Sequence, residues 1–202
     1  MSYSHLLGML TALSLYIAIS LSLYNPPVTH TPEVLPYAYF HNTPTDLPAP
    51  KPKQTSKQSI NSFLESQFGL PKGILFSIHQ KETSGRCKVN SKTNAKGCFQ
   101  FMDITILDIK QRFNYSFDPY NYEQSAKAAA LKLKYLYNRF AKNYKANTKV
   151  LWALTLAAYN AGYGTVTRKG WTTNLSTYSA LLKNITFKET QNYVKTIVPN
   201  LF

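Results

Sequence analysis

Among the nine acidic residues of this 202-residue chain, Glu82 stands where chemistry can use it. Ile74, Leu75 and Ile78 recur at helical spacing, and Glu82 takes the next position of their stripe, one turn beyond Ile78. A carboxyl on the core-facing side of a helix loses water, and in the last turn it also meets the negative end of the helix dipole. Both effects favour the protonated form, as a general acid working near neutral pH requires. The competing reading is that Glu82 turns outward or pairs with a nearby lysine. Other chemistries lack their residues. The histidines at positions 5, 30, 41 and 79 and the two cysteines form no HExxH or CxxC pattern, which argues against a zinc enzyme. No GxGxxG, no GxxxxGK loop and no GxSxG elbow occurs. The expectation is therefore an enzyme with no metal and no cofactor.

The elements that must hold such a group read as helices. Pro71 opens the helix that carries Glu82, and Gly85 closes it. From Glu123 to Lys145, Ala126, Ala129, Leu133, Leu136, Tyr137, Phe140 and Tyr144 recur at three- and four-residue spacing, while Lys127, Lys132, Lys134 and Lys142 face elsewhere. Val150 to Ala161 is apolar nearly all round, as a central buried helix is, and Gly162 ends it with a left-handed cap. Phe187 to Val198 forms a last helix, stopped by Pro199. Asp103 is expected to cap a helix through Thr105 to Arg112. Only short segments favour β structure, so the fold class is mainly α.

Composition divides the chain. Leu6 to Tyr24 is an uncharged, Leu- and Ile-rich run of nineteen residues, long enough to cross a bilayer. Residues 1–24 thus read as a transmembrane anchor or a signal peptide, with a buried core helix as the remaining alternative, and the missing basic flank and A-x-A site favour the anchor. Eight of the eleven prolines lie in residues 25–57, a linker too poor in apolar side chains and backbone donors to pack. Residues 58–202 are the size of one compact domain. They carry 20 of the 23 Lys and Arg residues against seven acids, so the +14 net charge belongs mostly to the domain and implies an anionic partner.

Beyond Glu82 the sequence resembles the lytic transglycosylases of the soluble-transglycosylase type, a branch of the lysozyme superfamily. Gly69, Leu70, Pro71, Leu75, Ile78 and Glu82 resemble that family's helix ending in the catalytic Glu. Ser91 falls nine residues later, as the family's Ser does. Ala95-Lys96-Gly97 matches its A-K-G, and Gly97-Cys98-Phe99-Gln100 resembles its G-L-M-Q turn. Ala157 to Gly162 is identical to A-A-Y-N-A-G, and Glu189-Thr190 with Tyr193-Val194 resembles E-T-x-x-Y-V. The likeness runs from about Phe63 to Ile197. It departs at Thr83 for Ser, Asn94 for Gly, Cys98 for Leu, Phe99 for Met and Asp103 for Pro, of which Phe99 alters the substrate subsite most. Asn94 can adopt the left-handed turn that Gly would supply.

The resemblance implies a lysozyme-like helical domain acting on peptidoglycan glycan strands. Glu82 would protonate the bond after N-acetylmuramic acid (MurNAc) and then deprotonate that sugar's own C6 hydroxyl, giving a 1,6-anhydro product. Ser91 and Gln100 would offer neutral hydrogen bonds to the sugars; Tyr159, Asn160 and Tyr193 would line or support the site. Phe99, with Phe101 and Met102, would form a stacking wall or simply pack, and Glu189 would pair inside the helix cluster. Cys87 and Cys98 bracket the loop carrying Ser91; export to an oxidising compartment would join them in a disulfide, the alternative being two buried thiols.

Such an enzyme belongs in the cell envelope, on the periplasmic or extracytoplasmic side, held to a membrane through its N-terminal segment. It would work in wall remodelling, in a secretion or conjugation machine, or in a virion that opens the wall. A hydrolytic lysozyme with the same acid, using a positioned water or Asp103 as second carboxylate, is the nearest alternative. Two others dispense with catalysis: a peptidoglycan binder, and a basic envelope or nucleic-acid-binding module. No RRM, KH or helix-turn-helix signature accompanies the charge, which argues against nucleic acid as a partner.

Overall fold

A computed structural model describes residues 56–90 and 92–202. The N-terminal hydrophobic segment, all but the end of the Pro-rich linker, and Ser91 lie outside the described residues. Among the described residues no helix is long and apolar enough to cross a membrane.

These residues form helices α1 (Lys57–Phe68), α2 (Ile74–Thr83), α3 (Asp103–Phe113), α4 (Tyr122–Asn143), α5 (Thr148–Ala161), α6 (Tyr163–Arg168), α7 (Tyr178–Asn184) and α8 (Lys188–Ile197), followed by a 3-10 turn at Val198–Asn200. The expected mainly α class is found: among the described residues the only β feature is an isolated antiparallel bridge between Lys96 and Phe101. Side-chain caps set several boundaries. Ser56 starts α1, Asn121 α4, Asn147 α5 and Thr177 α7, each accepting a hydrogen bond from a first-turn amide at 3.0–3.1 Å.

Helix α5 sits at the centre. Every residue from Val150 to Tyr159 is buried, and α5 packs against α4, α6, α7 and α8. The apolar face of α4, built from Ala126, Ala129, Ala130, Leu133, Leu136 and Phe140, lies against it as the periodicity predicts. At Gly162 the chain takes φ 86° and ψ 141°, an extended conformation of the positive-φ half of the map that only glycine adopts freely. The expected left-handed cap is thus replaced by a sharper redirection straight into α6.

The start of α2 also differs from expectation. Pro71 lies before the helix, and Gly73, with φ 83°, leads into Ile74. What caps α2 is the carboxylate of Glu65 on α1, 4% exposed. Its two oxygens accept from Gly73 N at 2.8 Å and Leu75 N at 3.0 Å. A buried acceptor therefore satisfies two amides that the first turn leaves unpaired, and its negative charge meets the positive end of the helix dipole. At the other end α2 stops through two left-handed residues, Ser84 and Gly85. Ile74, Leu75 and Ile78 are fully buried, so the rigid stripe fixes where Glu82 emerges.

Asp103 is the first residue of α3 rather than its cap. Its carboxylate pairs with Lys96 Nζ at 2.6 Å, the helix follows Met102 without any side-chain cap, and the acid still favours the helix N-terminus by charge.

Candidate active site

Glu82 occupies the last turn of α2 and lines a cleft of about 370 Å³. The floor and walls come from four places: the loop between α2 and α3, the start of α3, Lys132 on α4, and the facing ends of α5 and α8. Tyr193, on α8, donates from its hydroxyl to Glu82 Oε1 at 2.8 Å. Burial pushes the Glu82 carboxyl up to about 7, with the nearby Glu189 charge adding to the rise. The Tyr193 hydrogen bond and the charges of Lys132 and Lys81 oppose it. Burial wins, because removing water from a carboxylate costs more than one hydroxyl and two cations return. The phenol of Tyr193 is itself held well above its usual value by burial, so it remains a donor. Glu82 is thus a carboxyl that carries a proton near neutrality, with one oxygen fixed by Tyr193.

The loop between α2 and α3 is tied down at several points. The Thr83 hydroxyl donates to His79 O at 3.0 Å and to Cys98 O at 3.3 Å. The threonine that replaces the family's serine therefore keeps a structural hydrogen bond from helix to loop. Cys87 and Cys98 are joined in a disulfide, the expected pairing. Asn94 takes φ 56°, the left-handed turn anticipated for it. Gly97, with φ 79°, lies so close to Pro119 that a Cβ would overlap the Pro119 carbonyl.

The other sequence candidates divide. Gln100 lines the cleft, but its amide nitrogen donates to Lys88 O and Gly97 O, both at 2.8 Å. Its donors are spent on the turn, and Oε1 is the atom left for a ligand. Asn160 lines the cleft while its Oδ1 accepts from Thr190 Oγ1 at 2.7 Å, leaving its amide NH2 as donor. Tyr159 lines the cleft too, yet its hydroxyl donates to Phe99 O at 3.1 Å and makes no bond to Glu82. Phe99, expected either to stack on sugar or to pack, takes the second course: its side chain is 0% exposed and stacks on His79 at 5.6 Å. Packing is what it does, and only its carbonyl reaches the Tyr159 hydroxyl. Phe101 packs as well, 1% exposed among Phe99, Phe117 and Tyr159, so Met102, 43% exposed, is the one of the three whose side chain is open at the cleft.

Two charged residues that the sequence assigned elsewhere lie in this cleft. Lys132, read as facing away, lines it beside Tyr159, with Nζ 4.8 Å from the ring centroid. Burial pushes its ammonium down to about 8, against the pull of Glu82 and Asp108. A signal was present: Lys132 falls three residues after Ala129 and four before Leu136, on the buried face of α4. Glu189, expected to pair internally, is exposed in the first turn of α8 and makes no ion pair among the described residues. It stands four residues before Tyr193, one helical turn from the hydroxyl that holds Glu82.

Fold and site together define a lysozyme-like helical domain with a half-buried glutamate, Glu82, held by a tyrosine in a cleft. Residues 59–181 match the family described as the transglycosylase SLT domain, and the chain belongs to that family. The structure is similar to an inactive Glu-to-Gln mutant of the lytic transglycosylase Slt from Pseudomonas aeruginosa (TM-score 0.58, 22% identity, covering 71% of this chain and 23% of that one). It is also similar to the 70 kDa soluble lytic transglycosylase from Escherichia coli (TM-score 0.57, 26% identity, 68% and 22%). This chain therefore spans less than a quarter of the length of either protein.

Proposed function

We propose that residues 58–202 form a peptidoglycan lytic transglycosylase domain that cleaves the β-1,4 bond between MurNAc and N-acetylglucosamine. The observation that carries this reading is the Glu82 carboxyl, raised to about 7 and hydrogen-bonded to Tyr193 in the cleft. Family membership supports the substrate class, and the Pseudomonas enzyme is inactive with a glutamate changed to glutamine. Glu82 gives its proton to the glycosidic oxygen as the C1–O bond breaks. The carboxylate so formed takes the proton of the MurNAc C6 hydroxyl as O6 bonds to C1, which regenerates the acid and leaves a 1,6-anhydro sugar. The substrate's own N-acetyl group stabilises the cationic carbon, so no second carboxylate is required.

In this reading the charge of Lys132 steadies the carboxylate midway through the reaction. Gln100 Oε1 and the Asn160 amide orient the sugars, Met102 offers an exposed apolar surface, and Ser91, outside the described residues, is proposed from its motif alone as a further hydrogen-bonding group. The domain sits at the end of the residue 25–57 linker, with residues 1–24 holding it to a membrane at the cell envelope. Its partners are peptidoglycan strands and the membrane, in the setting of wall remodelling or of a secretion, conjugation or virion assembly. The basic surface suits a wall that presents carboxylates.

A hydrolytic outcome is favoured by one observation: Glu189, exposed in the same cleft as Glu82, could serve as base for a water. Asp103, bound to Lys96, does not line the cleft. Mass spectrometry of soluble products from purified peptidoglycan separates the two. Anhydro-muropeptides that disappear with Glu82→Gln are expected; hydrated reducing ends would establish hydrolysis instead, and unchanged lysis by Glu82→Gln would remove Glu82 from the acid role.

A further inference from the structure

The disulfide and His79 bring three potential ligand atoms together. A ring nitrogen of His79, Sγ of Cys87 and Sγ of Cys98 are all within 4.8 Å of one another. His79 is 2% exposed, and its Nε2 is buried without a hydrogen-bond partner, a state that native interiors seldom leave without a use. Its ring is fixed between Phe99 and Tyr122, with centroids 5.6 and 4.9 Å away. Cys98 is fixed as well: its N–H donates to Pro119 O at 3.0 Å and its carbonyl accepts from Thr83. Cys87 is half-buried and is the sulfur with room to shift. His79 also lines a cavity of about 510 Å³, with Lys57, Gly85 and Tyr122.

Two sulfurs and one imidazole are soft and borderline donors, suited to a zinc-like ion and unsuited to calcium or magnesium. In the disulfide the sulfurs are not available as ligands. We propose that, once the disulfide is reduced, His79, Cys87 and Cys98 bind one thiophilic divalent cation such as Zn²⁺, which takes over the disulfide's task of closing the loop. A dithiol supplies the two electrons and two protons that convert the S–S bond to two thiols, itself becoming a cyclic disulfide. The cation then displaces both thiol protons to solvent and gains two thiolates and one neutral imidazole, with water as fourth ligand. Sulfurs on one tetrahedral ion stand roughly 3.8 Å apart, a separation that Cys87 supplies by moving outward.

The loop so closed carries Asn90, Thr93 and Ala95 into the Glu82 cleft. Covalent closure under oxidising conditions and coordinate closure under reducing ones would hold the same wall. Metal occupancy would therefore be set by redox state, a property distinct from the glycan chemistry proposed above.

The test uses the full chain, reduced without oxygen by a phosphine, which water converts to its oxide and which competes little for metal. Co²⁺ is titrated into wild type, Cys87→Ser and His79→Phe, the last keeping an aromatic ring between Phe99 and Tyr122. Circular dichroism verifies each fold, and His79→Gln replaces any His79→Phe protein that does not fold. The expected result is one Co²⁺ per reduced chain with a thiolate-to-cobalt charge-transfer band. Oxidised protein and Cys87→Ser should lack that band, and binding should weaken at least about tenfold without the imidazole. No band in reduced wild type, or equal affinity with and without the imidazole, overturns the proposal.

Discussion

The Tyr193 hydroxyl and Glu82 Oε1 meet at 2.8 Å although 111 residues separate them in the chain. The helix carrying the acid and the helix orienting it thus come from opposite ends of the described domain. This bond stabilises the charged carboxylate while burial opposes it. Tyr193→Phe should accordingly move the alkaline limb of the pH–rate profile upward and lower kcat by about 10- to 100-fold through lost orientation. A pH–rate profile on peptidoglycan checks both; an unmoved limb would mean that the bond does not form in solution.

Lys132 and Glu189 should shift that limb in opposite directions. The lysine charge lowers the Glu82 value and the glutamate charge raises it. Lys132→Met should therefore extend activity to higher pH, and Glu189→Gln should cut it off at lower pH. Shifts of the same sign in both variants would contradict the arrangement of charges in the cleft.

Glu82 should also cost stability as pH rises. Its folded value, about 7, lies above its ordinary 4.5. The folded state thus holds the proton more tightly, an advantage that is full below about pH 4.5 and lost as pH rises through 7. Glu82→Gln removes this dependence and should be the more stable protein above pH 7, by up to about 3 kcal/mol. Urea unfolding of both proteins at pH 4.5 and pH 8 measures the difference.

Glu65→Ala should weaken the domain at a distance from the cleft. It strips the cap from Gly73 N and Leu75 N, at a cost of about 1–3 kcal/mol for the amides left unpaired. Because α2 carries the acid, kcat should fall as well. Chemical denaturation and initial rates provide the two readings.

Gly97→Ala should be among the most damaging single changes. The position combines φ 79° with overlap between a new Cβ and the Pro119 carbonyl. A loss of about 3 kcal/mol or more is expected. Thermal unfolding tests it, and a variant within about 1 kcal/mol of wild type would mean that the loop relaxes freely.

Much of this was legible in the sequence because it rests on local pattern. The stripe of Ile74, Leu75 and Ile78 located Glu82, and the unbroken apolar run at Val150 to Tyr159 identified the central helix. What escaped depends on which helix packs beside which. Glu65 shares a face with Asn61 and Leu64, all three buried, but periodicity cannot say that the start of α2 will come to rest on it. Lys132 looked solvated because lysine commonly is, although its register was that of Ala129 and Leu136; its long stem lets the charge reach the cleft from a buried face. For Phe99 and Phe101 the motif left stacking and packing open, because an aromatic in a turn suits either, and both side chains turn into the core.

Helix α5, in contact with α4, α6, α7 and α8, offers no face by which it can open alone. The amide protons from Leu154 to Ala158 should exchange with solvent only when the whole domain comes apart, so their slowest rates report its global free energy of unfolding. The amides of Asn94 and Gly97, bonded to Asn90 O and Lys88 O beside the disulfide, should exchange through smaller openings. A single deuterium-labelling experiment on the resting protein would thus read both scales at once, without denaturant or substrate.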